Sequence, residues 1–344
     1  MLSFIRKYII VALRYIKDLL AANPKLQTLL YDIRNEDEFA NLYEHEKMLA
    51  DSVRVNSYRK AIQKHVSEGD TVLDLGTGTG ILSFFAAKQN PKKIYAIDHS
   101  GFIDIARQIA VKNNITNIEF IKKNSRTFNS GVKFDIIIHE QIGDYLFNEN
   151  MIQNLLDLKK RLLKPNGRIL PGRFQLFLEP TCLYEPFNIP FIWENRIYGI
   201  NFEFLKDHDL ADFKPRNYRQ EWIGTAAVRN FLCKPDPILD FDLNKLHSEK
   251  EIPRTFEITK QVTESGSLDG FCLYFKVIFD EEIHFDTSPL TPYTHWGNCF
   301  FRIESRQRFA GDIVTYRVTI QDLLDIKRWS VSVKRFEERG RKQS

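Results

Sequence analysis

Four carboxylates stand where apolar runs end, and their neighbours decide what chemistry each could do. Asp74 lies in DTVLDLGTGTG (70–80), a short strand that passes into a glycine turn ahead of ILSFFAAKQ, which has helical periodicity. Gly76, Gly78 and Gly80 permit positive φ and close backbone approach, so a bulky ligand can lie across the strand's carboxyl end. The G-x-G-x-G spacing is not the dinucleotide fingerprint, and the chain has no G-K-[ST] phosphate loop. Asp74 would repel a pyrophosphate and suits a cationic amine instead. Asp98 ends the next strand, KKIYAIDHS, 24 residues after Asp74, where an acid can accept both hydroxyls of a ribose. An adenosine with a positively charged amino-acid tail meets both demands, which predicts S-adenosylmethionine as cofactor and S-adenosylhomocysteine as its product.

Glu140 closes a further apolar strand, FDIIIHE (134–140), and Glu149 follows nine residues later in HEQIGDYLFNENM. Two carboxylates on one pocket either share a proton or hold a cation. A planar guanidinium is the cation best matched to two of them, because its fork of N–H donors pairs bidentately. Spacing alone leaves open that Glu149 faces solvent on the following helix and that Glu140 caps a turn.

These residues need a sheet to hold them. The parallel strands continue through NIEFIKK (117–123) and FDIIIHE, with helices near 101–113 and 150–163, giving a doubly wound α/β architecture. LLKPNGRILPGR (162–173) then carries two Pro and two Gly, and a boundary is placed near Pro171. Downstream, FQLFLEP, FCLYFKVIFD, NCFFRIE and IVTYRVTIQD are aromatic and β-branched, as in an antiparallel barrel or sandwich. The expected domains are an extension over 1–38, a cofactor-binding domain over 39–170 and a β-barrel substrate domain over 171–344. Leu2, Ile5, Ile9, Leu13, Ile16 and Leu20 recur at helical spacing, an amphipathic helix expected to pack on this protein or a twin subunit. Contact of residues 1–20 with a membrane surface is the alternative. The polar, charged end KRFEERGRKQS is expected to fray.

Composition excludes several classes. The 344 residues are 43% apolar and 27% charged, enough to bury a core and too much for general disorder. A net charge of +4 is too mild for a nucleic-acid footprint. Cys182, Cys233, Cys272 and Cys299 form no C-x-x-C pair, so neither a disulfide framework nor a metal is expected, and a reducing cytoplasm is the default.

The chain resembles the protein arginine methyltransferase family from about residue 39 to the C-terminal barrel. Five ordered segments carry the resemblance: HEKMLADSVRVNSYR (45–59), VLDLGTGTGILSFFAAK (72–88), HEQIGDYLFNENM (139–151), WENRIYG (193–199) and FDTSPLTPYTHW (285–296). It implies that His45 and Arg54 hold the methionine carboxylate, that Gly76 lines the cofactor and that Asp98 takes the ribose. Glu140 and Glu149 would be the double-glutamate clamp on the acceptor guanidinium. Met48 and Met151 would flank the acceptor nitrogen, as in the branch that makes monomethyl and asymmetric dimethyl arginine. Asp51 and His295 match an acid–histidine pair that either moves a proton or only staples two domains, and Trp296 beside it is assigned to the substrate pocket. A helical dimerisation arm is implied at about 184–215, and with it a homodimer.

The pattern breaks in places. In NEDEF the family's tyrosines become Asn35 and Phe39, so Phe39 would form an aromatic lid on the cofactor without its hydroxyl. Gln141 and Asp144 stand where a tryptophan and a tyrosine are usual, and NSRTFN (124–129) has no acid where the family sets one against the adenine amine. The added polarity at Gln141 and Asp144 opens a second reading of the acceptor, free arginine or another small guanidine, beside arginine in a protein or peptide. A non-catalytic dimeric scaffold is the remaining reading. As for chemistry, a guanidinium has a pKa above about 12, and deprotonating it fully at pH 7 would cost roughly 7 kcal/mol. Orientation can supply about 7–11 kcal/mol in ideal cases, so positioning first and losing the proton late is the better route.

Overall fold

The computed structural model describes residues 41–206 and 219–337. The N-terminal amphipathic helix, Phe39, residues 207–215 of the expected arm and residues 338–344 fall outside them, while residues 334–337 of the end expected to fray lie in the last strand, Trp329–Glu337. Two helices open the described chain, α1 (Leu42–Ala50) and α2 (Ser52–His65), and between them Asp51 caps α2 by accepting the Arg54 N–H at 2.9 Å.

Five strands follow: β1 (Thr71–Leu75), β2 (Lys93–Asp98), β3 (Ile118–Lys122), β4 (Phe134–His139) and β5 (Leu163–Leu170). All pair in parallel, in the order β3-β2-β1-β4-β5. The central strands are buried on both faces, so they read as unbroken apolar runs rather than alternations. Helices α3 (Ile81–Ala87), α4 (Phe102–Lys112) and α5 (Met151–Leu162) make the crossovers. In α5, Met151, Ile152, Leu155, Leu158 and Leu162 form the buried stripe expected of helical spacing.

The stretch read as a boundary is in large part the fifth strand. β5 contains Pro165 and Gly167, which a strand tolerates at a sheet edge, and its register against β4 shifts between Phe134 and Ile136. The parallel sheet ends at Leu170 and antiparallel pairing starts at Arg173, where β6 (Arg173–Leu183) begins.

β6 pairs with β11 (Gly266–Ile278), and β11 with β13 (Asn298–Arg308); β7 (Arg219–Ile223) and β8 (Val228–Phe231) lie at the sheet's ends. Short β9 (Leu239–Asp242) and β12 (His284–Asp286) add to β6 and β11. A second sheet is β10 (Thr255–Gln261), β14 (Ile313–Ile320) and β15 (Trp329–Glu337). The two sheets pack across Phe271, Phe301, Tyr316 and Trp329, and do not close into one hydrogen-bonded barrel among the described residues. Tyr316 joins them by donating its hydroxyl to Leu178 O at 2.6 Å. Over 184–206 the structure has two 3-10 turns, Glu185–Phe187 and Glu203–Lys206, in place of α-helix; Pro186, Pro190 and Gly199 interrupt any longer helical run.

Candidate active site

The glycine turn builds the floor of one cleft. Gly76, Gly78 and Gly80 adopt φ of 71°, 52° and 92°, a region closed to most side chains. Gly78 N–H donates to Asp98 Oδ2 at 2.9 Å and Ser100 N–H to Asp98 Oδ1 at 2.8 Å, so the acid at the tip of β2 is fixed with lone pairs to spare. A Cβ on Gly78 would lie 3.0 Å from His45 Cε1, and nothing stands within 4 Å of one on Gly76. His45 is buried, its ring centroid 3.8 Å from that of Phe102.

Two residues expected on the wall work beneath it. Asp74 is fully buried, and its Oδ2 accepts from Thr77 Oγ1 at 2.7 Å and Ser83 Oγ at 2.6 Å. The strand alternation turns it under the loop, where burial pushes its carboxyl up against the two hydroxyls. Gly80 starts α3, and a Cβ there would meet Phe84 Cζ at 2.6 Å; it serves packing rather than the wall.

The second half of the site follows β4. His139 is fully buried, its Nε2 2.9 Å from Pro171 O and its Nδ1 3.4 Å from Gln141 N–H. A carbonyl on one nitrogen and an N–H on the other assign the Nε2–H tautomer, and burial lowers its pKa to about 4. Tyr58 donates its hydroxyl to His139 O at 3.0 Å. Glu140 thus leaves a fixed strand end, and its Oε2 lies 3.1 Å from Arg54 Nη1. Burial pushes the Glu140 carboxyl up, opposed by Arg54 and then His295. Arg54 also donates Nη2 to Met48 O at 2.9 Å.

The loop from Glu140 to Glu149 is anchored by the antiparallel sheets. Trp296 Nε1 donates to Ile142 O at 3.1 Å, and Tyr145 donates its hydroxyl to Leu324 O at 2.5 Å. Leu146, at φ 83°, and Asn150, at φ 54°, take left-handed backbone that only a well-held loop sustains.

His45, Met48, Arg54, Gly76, Gly78, Asp98, Glu140, Gln141 and Glu149 line one open cleft. Asp51, Asp144, Met151, His295 and Trp296 are not on this wall. Met151 is the first residue of α5 and is turned into the core. Trp296 is buried against Phe275 and Phe285, so it supports the loop rather than touching an acceptor. Asp144 is exposed in the turn closed by Leu146 N–H to Gly143 O at 2.8 Å. Asp51 and His295 do meet: the carboxylate Oδ2 is 2.9 Å from both the His295 N–H and its Nδ1. Burial raises the Asp51 carboxyl, but these contacts and the Arg54 N–H outweigh it and leave its pKa lowered.

Sequence reasoning missed Asn154, whose amide donates to Gln141 Oε1 at 3.2 Å, and Lys123 on the same wall, where Asn124, Ser125 and Arg126 of NSRTFN also lie. Asn154 follows Met151 by one helical turn, and that spacing is the one signal that could have found it.

Residues 66–182 match the family described as Methyltransferase domain, and residues 181–333 the Arginine methyltransferase oligomerization subdomain. Protein arginine N-methyltransferase 6 of Danio rerio is 30% identical over 287 residues, 79% of this chain and 79% of its own. The chain belongs to the protein arginine N-methyltransferase family. Another relative in the family, the ribosomal protein arginine N-methyltransferase rmt3 of Schizosaccharomyces pombe, is 31% identical over 278 residues, 76% of this chain and 50% of that protein. The solved Trypanosoma brucei PRMT1 enzyme–prozyme heterotetrameric complex with AdoHcy superposes with a TM-score of 0.69 at 26% identity, over 82% of this chain and 88% of that one.

Members of this arginine methyltransferase family are S-adenosylmethionine-dependent N-methyltransferases, and S-adenosylmethionine is the cofactor here. The cleft fits it. Asp74 Oδ1 and Arg54 Nε are buried with no hydrogen-bond partner among the described residues, the open face of Gly76 admits a ligand, and Asp98 presents free lone pairs. No group of three or more His, Cys, Asp or Glu among the described residues could hold a metal ion.

Proposed function

We propose that this chain methylates a guanidino nitrogen of arginine in a protein or peptide, with Glu140 and Glu149 holding the acceptor. The observation that carries the reading is that both glutamates line the cavity that also contains the glycine turn and Asp98. Bound S-adenosylmethionine supplies an electrophilic methyl group on a sulfonium. Asp98 would take the ribose hydroxyls and His45 and Arg54 the carboxylate end, with Asp74 bracing the glycine turn through Thr77 and Ser83. Glu140 and Glu149 draw positive charge to the nitrogens they contact and leave the third nitrogen's lone pair for transfer. Burial pushes the Glu140 carboxyl up and Arg54 opposes that, as a guanidinium brought between the two glutamates would also do.

His295 is the candidate for proton exit. Its Nδ1 engages Asp51, which orients the ring and leaves Nε2 to accept. Met48 on the wall suits monomethyl and asymmetric dimethyl products, while Met151 lies in the core and off the wall. A second reading, free arginine or a small guanidine as acceptor, is favoured by the Gln141–Asn154 amide pair, which puts polar groups on the wall.

The division into a cofactor domain ending at 170 and a substrate domain from 171 follows the change from parallel to antiparallel pairing. A homodimer is supported by the oligomerization subdomain and by exposed Phe187, Ile189, Ile200 and Phe204 on the 184–206 segment. Four free, buried cysteines suit a reducing cytoplasm, and no helix among the described residues is long and apolar enough to cross a membrane.

Mass spectrometry of products from arginine peptides, free arginine and a cell lysate tests the proposal. Methylated peptide arginine is the expected result. Methylation of free arginine alone would move the assignment to the small-guanidine reading, and no product from any of them to the scaffold.

A further inference from the structure

The hydrogen bond between Gln141 and Asn154 joins the two ends of the loop that carries the glutamates. Gln141 follows Glu140 directly beyond β4, and Asn154 stands in α5, five residues after Glu149. Asn154 is 5% exposed and donates Nδ2 to Gln141 Oε1 at 3.2 Å. Both side chains line the cleft beside the two glutamates. The backbone under Gln141 is held too, by its N–H against His139 Nδ1 at 3.4 Å and by the Trp296 donor on Ile142 O. A free glutamine side chain loses rotamer entropy when a ligand fixes it. Here a buried amide of the same chain has already fixed it.

An arginine guanidinium carries five N–H donors, and two carboxylates that each pair through both oxygens meet four of them. Glu140 also faces Arg54 Nη1 at 3.1 Å, which takes up part of its accepting capacity. At least one guanidino N–H therefore needs another acceptor, because a donor that gives up water without one weakens binding. An amide oxygen has two lone pairs, so the bond from Asn154 leaves Gln141 Oε1 able to accept once more.

We propose that Gln141 is a third contact to the acceptor, its amide oxygen receiving a guanidino N–H that the two glutamates do not, and that Asn154 is the residue that positions it. The inference rests on the reading that Glu140 and Glu149 hold a guanidino group, and it applies to arginine in a peptide and to free arginine alike.

The test is steady-state kinetics of the full chain on whichever guanidino acceptor the wild type methylates, an arginine peptide or free arginine, with the Kd of S-adenosylhomocysteine measured by calorimetry. Gln141→Met keeps the length of the side chain and drops the amide, and should raise the acceptor KM by at least about fivefold while the Kd moves by less than that. Gln141→Glu, which keeps an acceptor oxygen, should lie nearer the wild type than Gln141→Met. Asn154→Leu should raise KM as well, and combining it with Gln141→Met should add nothing, because both act through one side chain. A smaller rise in KM for Gln141→Met, a Kd that weakens in step with it, or a Gln141→Glu variant as poor as Gln141→Met overturns the contact, and a double variant worse than Gln141→Met overturns the part given to Asn154. A wild type that methylates no guanidino acceptor overturns the proposed function itself, a result read before any variant is made.

Discussion

The Asp51 carboxylate receives both the backbone N–H and the ring Nδ1 of His295 at 2.9 Å each, across 244 residues of sequence. The same carboxylate caps α2. One side chain therefore ties the helix that presents Arg54 to the segment after β12. Asn caps helices as well as Asp, so Asp51→Asn isolates the histidine contact. The variant should lose about 1–3 kcal/mol of stability at pH 7, read by urea titration. Because the Asp51 pKa is lowered in the fold, its contribution is complete above the unfolded value of about 3.9 and is lost as pH falls through the folded one. The gap between wild type and variant should stay level from pH 7 to about 4 and shrink below it; a level gap down to the lowest pH would contradict the lowered pKa.

The two glutamates should separate in their effects. Glu149→Gln should cut turnover by about 10²–10³ while cofactor affinity, measured by calorimetry, stays put. Glu140→Gln should cut turnover similarly and also weaken cofactor binding several-fold, because it removes the partner of Arg54. Full activity in Glu149→Gln would sink the clamp.

His139 gives a second pH signature. Its pKa falls from about 6.5 unfolded to about 4 in the fold, so protonation favours the unfolded chain. The contribution is present above pH 6.5 and is lost as pH drops towards 4, on the order of 3 kcal/mol over the interval. His139→Gln, which can keep one hydrogen bond and cannot titrate, should flatten the stability profile between pH 4 and 6.5 in chemical denaturation. An unchanged slope would place the titration elsewhere.

Away from the cleft, Lys260 Nζ lies 2.5 Å from Glu179 Oε1 and 2.6 Å from Oε2, with Glu179 wholly buried. Burial pushes the Glu179 carboxyl up and Lys260 opposes it. Lys260→Met should cost about 3–5 kcal/mol by stranding the acid, and Glu179→Gln added to it should recover part of that loss. Equal stability of the single and double variants would show that the acid is not stranded.

Residues whose signal lies in their own neighbourhood were legible from sequence. Asp98 ends an apolar run, the glycines follow another, and α5 repeats its apolar residues every turn, so sheet, turn and helix could all be read. Glu140 and Glu149, which line the cleft, stand beside a strand end and a helix start, and that local signal is what singles them out. What escaped depends on partners far along the chain. β5 hides behind Pro165 and Gly167 because only an edge position makes them tolerable. Asp74 points under its turn towards Ser83, Trp296 reaches Ile142, and Met151 faces the core. The Trp296 contact spans 154 residues and has no period that a sequence could display, whereas strand alternation at Asp74 and the apolar stripe of α5 at Met151 could have shown theirs.

Arg54 meets Glu140 with one nitrogen and a backbone carbonyl with another, while its third is buried without a hydrogen-bond partner among the described residues, three residues after the acid that hooks onto His295. If Arg54 and Glu140 hold the two ligands as proposed, acceptor, methyl donor and the far half of the molecule all hang from a single turn of helix, and a slip of that turn would release them together.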